Sequence, residues 1–301
     1  MDAPFPSYRD RYLPAMTPGR IAALPDKAWA PVIVATGAIE QHGPHLPVAV
    51  DALMGQIWLT RALALLPPTA ACYVAPPITI GKSNEHTGFP GTLMISKETL
   101  RALLLAIARQ VRDWGFRHLA VINTHGGNTA VLVTTLREIR AGLGLRADFL
   151  RPRIDPEISP REAAFGMHAG EVETSWLLAA AGSLVQFPAA VAGFPPGADP
   201  AAEVRPELAP VTYAWATRDL SASGVLGDAT AATAVPAVSL AEPTVSAAAP
   251  VPSMEPSSPP APGPGASSSP SRPASSTHSA AVSPATSSSA SKSTKRRDHG
   301  F

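Results

Sequence analysis

Carboxylates and histidines are concentrated in the segment AIEQHGPHLPVAVD, residues 38–51, which directly follows an apolar run. Glu40 and His42 are two residues apart, so an extended chain would direct both side chains to the same face. A turn at Gly43 can then fold Asp51 back toward them. Two carboxylates and an imidazole suit Zn²⁺, or Mn²⁺ and Fe²⁺ where the share of carboxylates is higher. The spacing therefore predicts a site for divalent metal ions.

Two further histidine motifs extend this prediction. His125, in the turn NTHGGN, is a plausible additional ligand, and the two glycines after it would let the backbone approach a substrate closely. In HAGEVETS, His168, Glu171 and Glu173 lie at the start of a predicted helix, where the helix dipole favours a carboxylate. An aspartate such as Asp51 could bridge two ions, and such a two-metal site makes a hydroxide nucleophile and polarises a carbonyl.

Each of these residues also has an ordinary structural interpretation. Asp51 could be the N-cap of the helix that follows it, and Asn128 could cap the helix after NTHGGN. Glu171 could simply begin a helix, and His86, in GKSNEHTGFPGTL, could be an ordinary loop residue. The coincidence of three histidine and acid clusters, each at a predicted strand or loop exit, favours a shared metal site over these separate explanations.

An alternation of short apolar runs and helical periods between residues 29 and 182 predicts an α/β fold with a parallel sheet. The predicted strands span residues 30–38, 72–80, 118–123 and 146–152. The predicted helices span residues 52–66, the interval between Ser96 and Gly115, 129–144 and 170–182. The second helix carries an apolar face of Leu100, Leu103, Leu104, Ile107, Val111 and Trp114. The histidine motifs therefore fall where strands lead into helices, which is where open α/β sheets bind ligands.

Composition limits the classes of function. The 301 residues carry 24 basic and 23 acidic side chains, so the net charge of +1 gives no reason to expect a nucleic acid or a membrane as partner. The single cysteine cannot form an internal disulfide, and neither a signal peptide nor a run of eighteen apolar residues is recognisable. A cytoplasmic location is therefore predicted.

Three regions are predicted along the chain. Residues 1–29 form an N-terminal lead-in, and residues 30–234 form the domain that carries all the motifs. Residues 235–301 are rich in Pro, Ser and Ala. Because such a segment cannot bury enough apolar surface to offset the entropy of ordering, it is predicted to be a disordered tail.

Four motifs in order, GAIEQHGPHLPVAVD, SNEHTGFPGTL, NTHGGN and HAGEVETS, resemble the creatininase family of metal-dependent amidohydrolases over about residues 30–234. The resemblance implies a three-layer α/β/α sandwich with a mostly parallel central sheet. It also implies two divalent metal ions, zinc with manganese or iron as alternatives, and a small-molecule amide as substrate. A homo-oligomer, often a hexamer, is a further expectation from the family.

The resemblance also implies roles for single residues. Glu40 and His125 look like ligands of one metal, His42 like a ligand of the other, and Asp51 like the bridge. In creatininase a glutamate two places after the NTHGGN-type histidine binds metal, but here that place is Gly127. Glu173 is the expected replacement. Catalytic roles are expected for His168, similar to the family histidine that assists proton transfer, and Glu173, and substrate contacts for Ser83, His86 and Gly126.

These features predict a hydrolase that cleaves a C–N bond in an amide, cyclic amide or formamide, rather than a typical peptide bond. The attacking water would be activated by two metal ions. Creatinine is a doubtful substrate, because creatininase has a tryptophan shortly before the proton-transfer histidine, whereas EAAFGMHAGE has none. Two alternatives stay open: a peptidase of the mycofactocin type that processes a small modified peptide, and a non-catalytic metal-binding subunit.

Overall fold

Four parallel strands form the central sheet of the structure, a computed structural model that describes residues 5–151 and 158–234. In chain order the strands are β1 (Pro31–Thr36), β2 (Tyr73–Val74), β3 (His118–Asn123) and β4 (Arg146–Leu150). The spatial order is β2-β1-β3-β4. β1 and β3 pair along their whole lengths, so both strands end at the same edge of the sheet. This edge is where the first and third histidine motifs begin.

The predicted strand at residues 72–80 is much shorter in the structure. Only Tyr73–Val74 pairs continuously with β1, because Pro76 and Pro77 follow and proline has no N–H for a ladder. After the two prolines, Ile78 forms a single β-bridge with Thr36. The other three predicted strands are confirmed to within a few residues.

The described residues contain seven α-helices: α1 (Pro18–Ala22), α2 (Val50–Ala64), α3 (Lys97–Asp113), α4 (Thr129–Leu143), α5 (Pro160–Phe165), α6 (Glu171–Ala181) and α7 (Thr217–Leu220). Two small two-stranded sheets follow α6 and use the strands β5 (Ala192–Gly193), β6 (Val204–Arg205), β7 (Val211–Thr212) and β8 (Gly227–Asp228). Single 3₁₀ turns occur at Leu13–Ala15, Asn84–His86, Gly126–Asn128, Gly182–Leu184, Phe187–Ala189 and Ala229–Ala231.

Helices cover both faces of the sheet. Because side chains alternate along a strand, Val32 and Val34 of β1 point to one face, where they join the core formed by α3 and α4. Ile33 and Ala35 point to the other face and pack with Leu59 of α2. α6 packs in turn against α2 through a third apolar cluster. The predicted three-layer α/β/α sandwich is therefore confirmed.

α3 shows how the sequence signals produce a helix. The hydroxyl of Ser96 accepts a hydrogen bond from the backbone N–H of Thr99, which is the predicted N-cap. Leu100 and Leu104 are fully buried under the sheet, whereas Leu103 is 43% exposed. The buried face of α3 is therefore narrower than its apolar spacing predicts.

The predicted region boundaries stay a prediction. Leu13 and Met16, which precede residue 30, belong to the core between the sheet and α3. The predicted tail at residues 235–301 lies outside the described residues. None of the helices in the described ranges is long and apolar enough to cross a membrane.

Leu104→Ala is expected to lower the free energy of unfolding by about 2–5 kcal/mol, because it leaves a cavity beneath the sheet. Leu103→Ala, one residue away on the exposed side of the same helix, is expected to cost less than about 1 kcal/mol. Urea denaturation of both variants measures the difference. Equal losses of unfolding free energy in the two variants would contradict the orientation of α3.

Candidate metal centre

The exit of β1 brings the first motif together. The backbone N–H of Glu40 donates to the carbonyl of Val48 over 2.8 Å, which closes the segment between β1 and α2. Gly43 adopts a left-handed φ of 66°, which supplies the predicted turn. The N-cap of α2 is Ala49 rather than Asp51. Asp51 therefore lies in the first turn of α2, and its carboxylate faces Glu40 and His42.

Asn128 links the exits of three neighbouring segments. Its amide nitrogen donates to the carbonyl of Gly37 over 3.0 Å, and its amide oxygen accepts the backbone N–H of Lys82 over 2.9 Å. Asn128 occupies the N-cap position of α4, as its structural interpretation predicted, but its side chain makes no capping hydrogen bond to the helix. Fully buried, Asn128 instead holds the loop that carries His125 against the exit of β1.

A buried carboxylate that sequence reasoning missed positions the HAGEVETS motif. Glu162 of α5 accepts the backbone N–H groups of Glu171 over 2.9 Å and of Asp228 over 2.7 Å. His168 also pairs with Leu226 through backbone hydrogen bonds of 2.8 and 3.1 Å. Together these contacts fix the start of α6 beside β8. Glu171 is the first residue of α6, as its structural interpretation predicted.

The predicted ligands converge around Asp51. Nδ1 of His125 lies 3.2 Å from Oε1 of Glu40 and 3.5 Å from Oδ2 of Asp51. Nε2 of His42 lies 3.5 Å from Oδ1 of Asp51 and 3.7 Å from Oε2 of Glu173. Glu40, His42, Asp51 and His125 are almost completely buried, and Glu173 is mostly buried, with its side chain 23% exposed. Asp51 thus directs one oxygen to each histidine, as a bridging carboxylate would.

Backbone carbonyls orient three of the imidazole rings. One ring nitrogen of each lies within hydrogen-bond distance of a carbonyl oxygen: His42 Nδ1 at 3.0 Å from Glu40, His125 Nε2 at 3.0 Å from Lys82 and His168 Nε2 at 2.6 Å from Gln41. A ring nitrogen can only donate to a carbonyl, so it carries the hydrogen. The other nitrogen then presents its lone pair to the carboxylates, which is how metal-ligating histidines are held.

Unpartnered polar atoms mark where positive charge is required. Among the described residues, Oε2 of Glu40, Nε2 of His42 and Oδ2 of Asp51 are buried without a hydrogen-bond partner. Ligand atoms converge in two sets that share Asp51, one with Glu40 and His125 and the other with His42 and Glu173, and in a third set of Glu40, His42 and His168. Buried oxygen and nitrogen donors of this kind fit divalent metal ions.

The pKa values show the same need for positive charge. Burial opposes protonation of His42, but the charge of Asp51, then those of Glu173 and Glu40, outweigh burial and raise the pKa of His42 to about 10. Burial is likewise outweighed at His125, where Glu40 and Asp51 raise the pKa to about 9. Without metal, a proton thus occupies the lone pair that a cation would otherwise take.

The acidic groups respond differently to burial. Burial raises the pKa of Glu173 to about 7, although the charge of His42 opposes this, and burial also raises the pKa of Asp51. Burial would raise the pKa of Glu40 too, but hydrogen bonds from His125 and His86 and nearby charges lower it well below its usual range. Burial, followed by the charges of His42 and His86, lowers the pKa of His168.

His86 differs from the other three rings. Oε1 of Gln41 accepts the N–H of Gly43, so the amide nitrogen of Gln41 is a donor to Nδ1 of His86 over 3.0 Å. The hydroxyl of Thr217 is 2.9 Å from the same nitrogen. Nε2 of His86 therefore carries the hydrogen and faces Oε1 of Glu40 at 3.3 Å. His86 orients Glu40 rather than offering it a lone pair.

A cavity of about 690 Å³ opens onto this cluster. Glu40, Asp51, His125, His168 and Glu173 line one part of it, together with two of the predicted substrate contacts, His86 and Gly126. Ser83, the third, is fully buried behind His125 with its hydroxyl 3.3 Å from Nε2. The functional roles predicted for these residues stay predictions.

The family model for creatininase, described as creatinine amidohydrolase, matches residues 14–250. The chain belongs to the creatininase family. A mycofactocin precursor peptide peptidase of Mycobacterium ulcerans (strain Agy99) is 37% identical over 213 residues, covering 69% of this chain and 78% of the relative. The creatinine amidohydrolase of Pseudomonas putida is 30% identical over 200 residues, covering 55% and 71%. A solved structure described as Creatininase Mn shares the fold, with a TM-score of 0.58 at 22% identity over 75% of this chain and 91% of its own.

Gly127 leaves no room for a larger side chain. A Cβ at this position would lie 2.0 Å from Oε1 of Glu85, so the carboxylate of Glu85 occupies the space beside the glycine. That oxygen lies 3.5 Å from Nε2 of His125, and Lys82 pairs with the other oxygen at 3.3 Å. Glu173, the predicted replacement ligand, instead reaches the cluster from α6.

Gly127→Ala is expected to weaken metal binding about 10- to 100-fold, which is typical when the support of a ligand is disturbed. The added Cβ would lie 2.5 Å from both Nε2 of His125 and the backbone oxygen of Lys82, so the ring must move. Gly126→Ala is the matched control, because a Cβ there meets nothing within 4 Å. Metal content after dialysis against a graded chelator compares the two, and equal affinities would contradict the geometry.

After metal removal, the stability of the fold is expected to decrease as the pH rises above neutral. The pKa values of His42 and His125 in the metal-free fold, about 10 and about 9, exceed the ~6.5 of an unfolded histidine. Their protonation therefore stabilises the fold fully below pH ~6.5, and this stabilisation is lost as the pH rises through both values. Urea midpoints of the chelated protein should fall between about pH 7 and 10. A parallel fall in the metal-loaded protein would contradict this origin.

Proposed function

We propose that this protein is a metal-dependent peptidase that hydrolyses an amide bond in a short peptide. The observation that carries the proposal is the position of Asp51, whose two carboxylate oxygens face His42 and His125 at the end of an open cavity. The name of the 37% identical relative, a precursor peptide peptidase, supports a peptide as the substrate class. A cavity of about 690 Å³ is in the size range of small-ligand sites and can hold a few residues.

Two divalent ions would be held by residues of this chain. Glu40, Asp51 and His125 are suited to one, and His42, Asp51 and Glu173 to the other. When bound, such ions lower the pKa of water and polarise a carbonyl. We propose zinc for both, with manganese as an alternative that the relative described as Creatininase Mn supports, and iron as a further one.

Protons are proposed to move through His168. Its Nε2 donates to the carbonyl of Gln41, and burial keeps the ring neutral, so Nδ1 has a free lone pair beside Glu40. Nδ1 can accept a proton from the attacking water and return it to the leaving nitrogen, as general acid–base catalysis requires. Glu173, whose pKa of about 7 suits the same task, is the second proposed proton carrier.

Asp51→Asn is expected to abolish metal binding and hydrolysis together, because the amide keeps the size of the side chain but not its bridging charge. Asp148→Asn is the matched control, since Asp148 contacts His118 at 2.8 Å on β3 and β4, outside the cavity. Metal analysis and a hydrolysis assay on both variants test this. Full activity of a metal-free preparation would eliminate the proposed mechanism.

A small amide is the second candidate substrate, supported by the 30% identity with a creatinine amidohydrolase. A panel of creatinine, other cyclic amides, formamides and short peptides, assayed with the zinc-loaded protein, separates the candidates. Turnover of peptides alone supports the peptidase. Turnover of small amides alone supports the second candidate, and tight metal binding without any turnover would favour a non-catalytic subunit.

Assembly and location complete the proposal. We propose a homo-oligomer, with a hexamer expected from the family, that acts in the cytoplasm without nucleic acid or membrane partners. Light scattering of the purified full chain measures the oligomeric state, and a monomer at working concentrations would contradict it.

A further inference from the structure

The cavity is lined by two chemically different groups of residues. One group is the carboxylates and imidazoles of the metal centre, and the other comes from the segment 206–215, where apolar residues outnumber Glu207 and Thr212. This segment follows β6, contains β7 and leads into α7. Its contributions include Leu208, Tyr213 and Trp215, and Met167, next to His168, adds a further apolar group. None of these residues is used in the proposed chemistry.

The apolar segment is attached to the motif that carries His168. The guanidinium of Arg205 donates to the carbonyl of Leu208. The same guanidinium lies 5.8 Å from the ring of Phe165, three residues before His168. A cation above an aromatic ring is attractive at this distance. Arg205 therefore connects the start of this segment to the helix that precedes His168.

The segment 206–215 leaves large apolar side chains exposed beside the cavity. Leu208 is 69% exposed and Tyr213 is 45% exposed, and Trp215 is half-buried. Exposed apolar groups that border a ligand cavity are typical of a recognition surface rather than of a folding core. Aromatic rings also offer a large contact area at a low entropic cost. A side chain of the substrate would bury these groups.

We propose that Tyr213 and Trp215 form the specificity wall, which receives an aromatic or bulky aliphatic side chain next to the scissile amide. This inference rests on the proposed function, because the same cavity must hold the amide at the metal centre. The wall takes its tryptophan from a segment that follows the HAGEVETS motif, whereas no tryptophan precedes His168 in EAAFGMHAGE. The substrate class is therefore a peptide with a large apolar residue flanking the cleaved bond.

The binding of two hydroxamates tests the specificity wall without requiring turnover. Acetohydroxamate and phenylacetohydroxamate share a metal-binding group and differ in the ring, and calorimetry measures their affinities for the zinc-loaded full chain. The phenyl compound is expected to bind at least about tenfold more tightly. Trp215→Ala and Tyr213→Ala should each reduce this ratio to about threefold or less, with unchanged affinity for acetohydroxamate. Trp215→Phe should retain most of the preference for the phenyl compound.

Trp29→Ala is the matched control, because Trp29 is 82% exposed and does not line the cavity. It should leave both affinities unchanged. An equal preference for the phenyl compound in the wild type and in both wall variants would overturn the specificity wall. Failure of both hydroxamates to bind the zinc-loaded protein would instead overturn the proposed function, so the two failures are distinguishable.

Discussion

The structure depends on the charge balance around Asp51. Glu40, Asp51 and Glu173 bring three carboxylates into one buried region, and such a group is stable only with compensating positive charge. Protons on His42 and His125 supply this charge in the metal-free protein, and divalent ions can replace them. Because backbone carbonyls fix the rings, the exchange of a proton for an ion requires no change of ring orientation.

The α/β/α sandwich positions this cluster because two of its strands end at the same edge of the sheet. β1 delivers the first motif and β3 delivers His125, and the buried side chain of Asn128 joins their exits. α2 has two functions, since its first turn carries Asp51 while its later turns pack on the sheet. The site and the core therefore share an element, so a change in one is transmitted to the other.

Much of this arrangement could be predicted from local patterns. Apolar periodicity indicated all four strands, with the length of β2 overestimated, and the helices between them. The edge rule for parallel sheets placed His125 near Glu40. Side chains whose partners are distant in sequence could not be found this way. Gln41 contacts Gly224, Glu162 contacts Asp228, and Trp215 lines the same cavity as Glu40. No spacing in the sequence reports these long-range contacts.

The distribution of the ligands along the chain has a consequence for biosynthesis. Glu40, His42 and Asp51 leave the ribosome early, whereas Glu173 follows only with α6, and Asp228, whose backbone anchors Glu162, is later still. A nascent chain that ends before α6 already contains Glu40, Asp51 and His125, but it lacks the carboxylate of Glu173. The second ligand set, His42, Asp51 and Glu173, is therefore complete only after α6 has been translated.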